Sequence, residues 1–213
     1  MEDIKLIVFD LDGTLVDAYP AIIRSFNYVM QRLGYPKKSD LAIRRAVGRG
    51  DGSLLEPFLK EKDLKEALSL YRIDHKAALL KGSRVFPWVK NVLLRFKSAK
   101  YKLAVATNRP TMFTRILMKH LGLVKYFDYV LCSDVLKRGK PDPEILYKIM
   151  KRFDLSPKQT IYVGDMTIDA QTGRRAGVKT IIVTTGSSNR AEIKKEKPYR
   201  IINKIRSLAQ LLS

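Results

Sequence analysis

The chain has 213 residues, enough to bury a substantial core, either as one domain or as a core carrying an insertion. Its 46% apolar fraction is that of an ordinary globular protein, no apolar run approaches the length of a membrane span, one cysteine cannot form an internal disulfide, and two histidines cannot build a His-rich metal centre. The 41 Lys and Arg residues against 21 acidic ones give a formal net charge of +20, read first as a solvated basic surface or simple electrostatic steering, and otherwise as attraction for phosphorylated small molecules or nucleic acid.

The N-terminus runs straight into an apolar strand, with no basic start followed by a long apolar stretch, so no signal peptide is expected. With the single cysteine, this points to a reducing cytoplasm. The run 5–9, Lys-Leu-Ile-Val-Phe, is continuous rather than alternating and reads as a strand buried on both faces. Asp10 and Asp12 follow it, then Gly13. From about Ala18 to Gly82 the pattern is helical, with no convincing strand. Ile22, Ile23, Phe26, Val29, Met30 and Leu33 form a broad stripe ending at Gly34, and Leu64, Leu68, Tyr71, Ala78 and Leu79 suggest a later helix. His75 is read as a residue on that helix's flank, with a cap acid or base as the alternative.

Strand and helix then alternate. Val89, Val92, Leu93 and Phe96 mark a helix; 102–107 reads as a strand; Phe113, Ile116, Leu117 and Leu121 mark another helix, ended by Gly122. A strand at 129–132 precedes a helix announced by Asp142-Pro143, with Leu146, Ile149 and Phe153 inward. Strands at 160–164 and 180–184 bracket a helix from Thr167 to Gly177, and a last short strand is expected at 200–202. The order predicts an α/β fold: a doubly wound, mostly parallel, Rossmann-like sheet with an inserted helical cap domain. The expected division is a core of 1–17 and 83–213 with a cap of 18–82.

The chemistry gathers at strand ends. Asp10 and Asp12 leave the C-terminal edge of a buried strand, where open α/β sheets bind ligands. Their i, i+2 spacing puts two carboxylates on one side of an extended chain. Such a pair repels unless a proton or a cation is shared. A hard cation with oxygen ligands, magnesium beside phosphate, resolves the conflict. An acidic turn is the blander reading of Asp-x-Asp alone; the full run Phe9-Asp10-Leu11-Asp12-Gly13-Thr14-Leu15 is far more specific.

This run resembles the first motif of the haloacid dehalogenase-like phosphohydrolases. Thr107-Asn108 looks like the family's second motif, Lys140 in 139–143 like the third, and Gly164-Asp165 through Asp169 like the fourth, all in the family's order. The resemblance covers essentially the whole chain. It implies that Asp10 attacks phosphorus and becomes an aspartyl-phosphate, and that Asp12 protonates the leaving oxygen and then assists water. It implies that Thr107 and Asn108 bind the phosphoryl group, and that Lys140 neutralises both that group and Asp10. Magnesium is implied at Asp10, Asp12 and Asp165, with Asp169 in support directly or through water; for Asp12 the family commonly uses the backbone carbonyl.

The second aspartate fits a phosphatase or a phosphomutase rather than a dehalogenase. Val47-Gly48-Arg49-Gly50 is reminiscent of phosphoglycolate phosphatases, and Arg49 could reach a substrate carboxylate. An exposed arginine on a Gly-rich turn is the even alternative. Trp88 stands where such relatives often have glycine, and Arg109 falls outside the matched motif. The expected partner is a small phosphorylated metabolite. A basic nucleic-acid binder is the rival from another class. The basic residues, including twelve and no acidic residue between His75 and Phe127, are not interleaved with aromatics as a stacking platform would be.

Overall fold

The computed structural model describes residues 3–212. Its elements run in this order: β1 Leu6–Phe9, β2 Val16–Asp17, α1 Tyr19–Arg32, α2 Asp40–Ala46, α3 Asp51–Leu55, α4 Leu64–Gly82, β3 Arg84–Val85, α5 Val89–Ser98, β4 Lys102–Thr107, α6 Thr111–His120, β5 Tyr129–Cys132, α7 Glu144–Phe153, β6 Thr160–Gly164, α8 Thr167–Ala176, β7 Lys179–Val183, α9 Arg190–Lys195, β8 Arg200–Ile202 and α10 Arg206–Leu211. Short 3₁₀ turns link several of them.

Six strands form one parallel sheet in the order β5-β4-β1-β6-β7-β8. The chain winds from β1 outward through β4 and β5, then crosses back to β6 and winds the other way. The direction reverses at β1, and the crevice at its C-terminal end is where such a sheet receives a ligand. β1 is buried on both faces because its alternate residues feed two cores. Ile7 and Phe9 join α5 and α6 on one side; Leu6 and Val8 join Ile145, Leu146 and Ile149 of α7 on the other. This is the expected doubly wound architecture.

Helices α1 to α4 occupy the stretch between β2 and β3, and no strand lies among them. β2 and β3 pair antiparallel, Val16 with Val85 and Asp17 with Arg84, as a two-stranded ribbon at the base of the insertion. Four residues are too few to carry a strand period, so that ribbon had no legible signal. Arg84 donates two hydrogen bonds to Asp17 across it, at 3.0 and 3.2 Å. Phe26, Leu54, Tyr71 and Leu79 of the insertion share the larger core with β1, so the insertion packs continuously onto the sheet.

Local signals placed three helix C-termini. Gly34, Gly122 and Gly177 take left-handed backbone, at φ 74, 65 and 71, just past α1, α6 and α8. Helix α7 starts one residue later than its proline suggested, because Pro143 caps the helix and Asp142 accepts from the Glu144 N–H at 2.9 Å. Trp88 also takes a left-handed conformation, φ 71, before α5. That backbone explains why a glycine suits the position.

Candidate active site

Register brings three strand ends together. Phe9 pairs with Val105 of β4 on one side and Val163 of β6 on the other, and the Asp10 N–H donates to the Val163 carbonyl at 2.8 Å. Asp10, Thr107 and Asp165 therefore emerge at one edge of the sheet. Gly13 turns the chain back with φ 83, and its N–H donates to the Val16 carbonyl.

Lys140 enters from the loop between β5 and α7. Its ammonium donates to Asp10 Oδ1 at 2.8 Å, to Asp169 Oδ1 at 2.7 Å and to the Tyr162 hydroxyl at 3.0 Å. Those three bonds use all three N–H donors of a lysine. Burial works to lower the Lys140 pKa, but the two carboxylates outweigh it and the net direction is upward. Burial raises the Asp10 carboxyl to about 7, with Lys140 opposing and Asp169 adding to the rise.

Asp165 is fully buried. Its Oδ1 accepts from the Thr14 hydroxyl at 2.8 Å, while its Oδ2 has no protein partner. Burial, then the charges of Asp10 and Asp169, push its carboxyl well above the ordinary range. A Cβ built at Gly13 or at Gly186 would overlap this carboxylate, so two glycines form a cradle around it. One oxygen from each of Asp10, Asp165 and Asp169 lies within 4.8 Å of the others. Three buried aspartates and one lysine leave negative charge in excess, and an orphaned oxygen costs free energy where it stands. A divalent cation with oxygen ligands fits that donor set.

Two expected ligands differ in detail. Asp169 Oδ1 accepts from Lys140 and from Tyr162 at 2.7 Å, and Oδ2 accepts from the N–H groups of Asp165 and Met166 at 3.1 and 3.0 Å. Four hydrogen bonds occupy this carboxylate, so it holds Lys140 and the 165–166 loop in place. The Asp12 side chain is outside the three-carboxylate cluster. Arg109 takes it instead, Nε to Oδ2 at 2.8 Å and Nη2 to Oδ1 at 2.9 Å.

Arg109 is buried, and its Nη1 donates to His75 Nε2 at 3.0 Å. His75 is buried as well, a correction to its reading as a flank residue. It stacks on Tyr71, and its Nδ1 meets the Ser25 hydroxyl at 3.2 Å. Burial, then the Arg109 charge, lower the His75 pKa to about 2, so the imidazole is neutral and accepts at Nε2.

A cavity of about 50 Å³ lies between the insertion and the sheet edge. Asp10, Asp12, Thr107, Asn108, Arg109 and Lys140 provide its polar wall, and Ile22, Val47, Leu54, Met166 and Ile168 the apolar one. Arg49 is exposed and does not line it; the arginine on this wall is Arg109. Asn108 is committed to the backbone. Its Nδ2 donates to the carbonyls of Gly48 and Lys140 at 2.7 and 3.0 Å, and its Oδ1 accepts from the Lys140 N–H at 2.8 Å. Thr107 accepts from the Arg109 N–H at 3.1 Å. Tyr162 and Gly186 escaped the sequence reading, because nothing local marks an apolar-strand tyrosine or a loop glycine as belonging to a site; Thr14 and His75 were read there, but not with these partners.

A family model described as haloacid dehalogenase-like hydrolase matches residues 7–183, a span that holds all these aspartates and Lys140. This chain belongs to the haloacid dehalogenase-like hydrolases. A relative named phosphoglycolate phosphatase from Nitrosococcus oceani is 29% identical over 217 aligned positions, covering 98% of this chain and 96% of the relative. Another of that name, from Nitrosospira multiformis, is 32% identical, covering 86% and 84%. A crystal structure described as a predicted phosphoglycolate phosphatase from Haemophilus somnus superposes with a TM-score of 0.95 at 28% identity, covering 100% of both chains. A haloacid dehalogenase-like hydrolase from Streptococcus pneumoniae gives 0.92 at 27%, also covering 100% of both chains. The expected enzyme class, a phosphatase-type hydrolase, agrees with these relatives. No helix among the described residues is long and apolar enough to cross a membrane.

Proposed function

We propose that this protein is a magnesium-dependent phosphatase that hydrolyses a small phosphorylated carboxylic acid, phosphoglycolate foremost, through an aspartyl-phosphate on Asp10. The observation that carries the reading is the buried set of Asp10, Asp165 and Asp169 with Lys140 bonded to two of them. Such a set has no structural purpose that apolar residues would not serve better.

In this reading Asp10 is the nucleophile, and Lys140 offsets charge on it and on the phosphoryl oxygens. Asp12 protonates the leaving oxygen and then draws a proton from the attacking water. Thr107 and neighbouring N–H groups receive phosphoryl oxygens. Asp10 and Asp165 would hold the cation, the latter through its orphaned Oδ2. When bound, magnesium supplies charge neutralisation at the phosphoryl group. Asp169 keeps Lys140 pointed at Asp10. The insertion, residues 18–82, acts as a cap that excludes water over the cavity lined by Asp10, Asp12, Thr107 and Lys140. The substrate class follows from the relatives' names, and a cytoplasmic setting suits such a metabolite.

A screen of phosphomonoesters with magnesium, run beside Asp10→Asn, tests this. Magnesium-dependent phosphate release is expected from the wild type, and none from the variant. Equal activity in the two proteins would remove Asp10 from the mechanism.

A further inference from the structure

Two cations line the cavity among the described residues, Lys140 and Arg109. Lys140 has no donor to spare, since Asp10, Asp169 and Tyr162 take all three. Arg109 has five N–H donors. Two go to Asp12 and one to His75, so 5 − 3 = 2 remain without a protein acceptor among the described residues. Both lie on terminal nitrogens, because Nε is spent on Asp12. A buried guanidinium with free donors on the wall of an anion-binding cavity is a ready partner for a carboxylate.

The charge around Arg109 is already balanced. Asp12 pairs with it, and Asp51 at the start of α3 pairs with Arg72 at 3.5 Å. A second carboxylate brought to Arg109 therefore competes with Asp12. In the bidentate pair both Asp12 oxygens are occupied. Asp12 must give up at least one of those bonds to reach a leaving oxygen. Both requirements are met by one exchange.

We propose that Arg109 is the specificity-determining residue of this site: it receives the substrate's carboxylate, and that exchange frees Asp12 to reach the leaving oxygen. His75, carried by α4 of the insertion, fixes the guanidinium from behind, so the exchange occurs only with the insertion in place over the sheet. A substrate lacking the carboxylate leaves Asp12 held by Arg109. This inference rests on the phosphatase reading above and goes beyond it by assigning selection and release to one side chain.

The test pairs phosphoglycolate with 2-hydroxyethyl phosphate, a monoester with a neutral tail of similar size. Each is titrated calorimetrically, with magnesium, into Asp10→Asn and into Asp10→Asn combined with Arg109→Gln, after melting curves establish that both are folded. Arg109 should favour phosphoglycolate by roughly 10- to 100-fold, the range of a charge-assisted hydrogen bond, and Arg109→Gln should abolish the preference. In turnover, Arg109→Gln on its own should raise KM for phosphoglycolate and raise kcat for the neutral ester, because Asp12 is no longer held. A purely structural Arg109 would instead lower kcat on both. A preference that survives the substitution, equal losses on both ligands, or no preference to begin with overturns the assignment. If the wild type releases phosphate from monoesters in any of these cases, the phosphatase reading stands without the Arg109 inference. A wild type inactive on every monoester sinks both.

Discussion

Gly186 lies so close to the Asp165 carboxylate that a single added carbon would overlap it. The two residues leave successive strands, β6 and β7, and their contact shapes the space beside Asp165 Oδ2. Gly186→Ala is expected to displace that carboxylate, to lower turnover roughly 10- to 100-fold in the manner of other disturbed supports of metal ligands, and to shrink the thermal shift produced by magnesium. Gly34→Ala is the control. Its φ is 74 but nothing lies within 4 Å, so it should cost about 1 kcal/mol of stability and leave the magnesium response intact. Melting curves with and without magnesium read both.

Lys140→Met removes the shared cation of Asp10 and Asp169 while keeping much of the side-chain volume. Breaking a buried pair on one side costs about 3–5 kcal/mol. For a chain of this size that corresponds to a fall in Tm of roughly 10 °C. Turnover should vanish with it. A metal-free variant that melts with the wild type would show that the carboxylates do not depend on this lysine.

Magnesium should stabilise the protein more at pH 8 than at pH 5. Burial raises the folded-state carboxyl of Asp10 from 3.8 to about 7, and raises that of Asp165 in the same direction. An acid whose folded pKa is raised binds more protons in the native state than in the unfolded one. Metal-free stability contributed by these groups is therefore present below pH 4 and declines as pH climbs toward 7. A cation must displace those protons, so its binding strengthens over the same interval. Differential scanning calorimetry at several pH values, with and without magnesium, measures the trend. A shift independent of pH would place the cation elsewhere.

Asp165→Asn and Asp169→Asn should differ in kind. Asp165 offers an unpartnered oxygen, whereas Asp169 has four hydrogen-bonded neighbours. The magnesium concentration for half-maximal activity should rise more in Asp165→Asn. Asp169→Asn should mainly lower kcat, because its amide presents a donor where only acceptors are wanted. The reverse order would make Asp169 the direct ligand.

Much of the site was legible because its residues sit where a periodic pattern stops. A continuous apolar run ending in Asp10, another in Thr107 and a third before Asp165 can each be found locally, and the parallel-sheet reading then puts the three ends on one edge. Lys140 needed its motif context, since lysines are abundant in this chain. Asp12, Asn108 and Asp169 were found as residues, but the partners that define what they do were not. Arg49 and Arg109 show the limit most clearly. Both follow a recognisable strand or Gly-rich signal, and only the fold turns one outward and buries the other.

The sequence by itself determined the doubly wound sheet, the helical insertion and the strand ends that bear the aspartates, because hydrophobic period and chain order are local properties. Tertiary structure alone decided that Arg109 holds Asp12, that His75 of the insertion backs Arg109, and that Gly13 and Gly186 enclose Asp165. These pairings join residues from 21 to 152 positions apart, counted as 186 − 165 and 165 − 13. Hydrogen bonds and steric exclusion act over a few ångströms of space, and a separation of that length along the chain leaves no periodic trace of them.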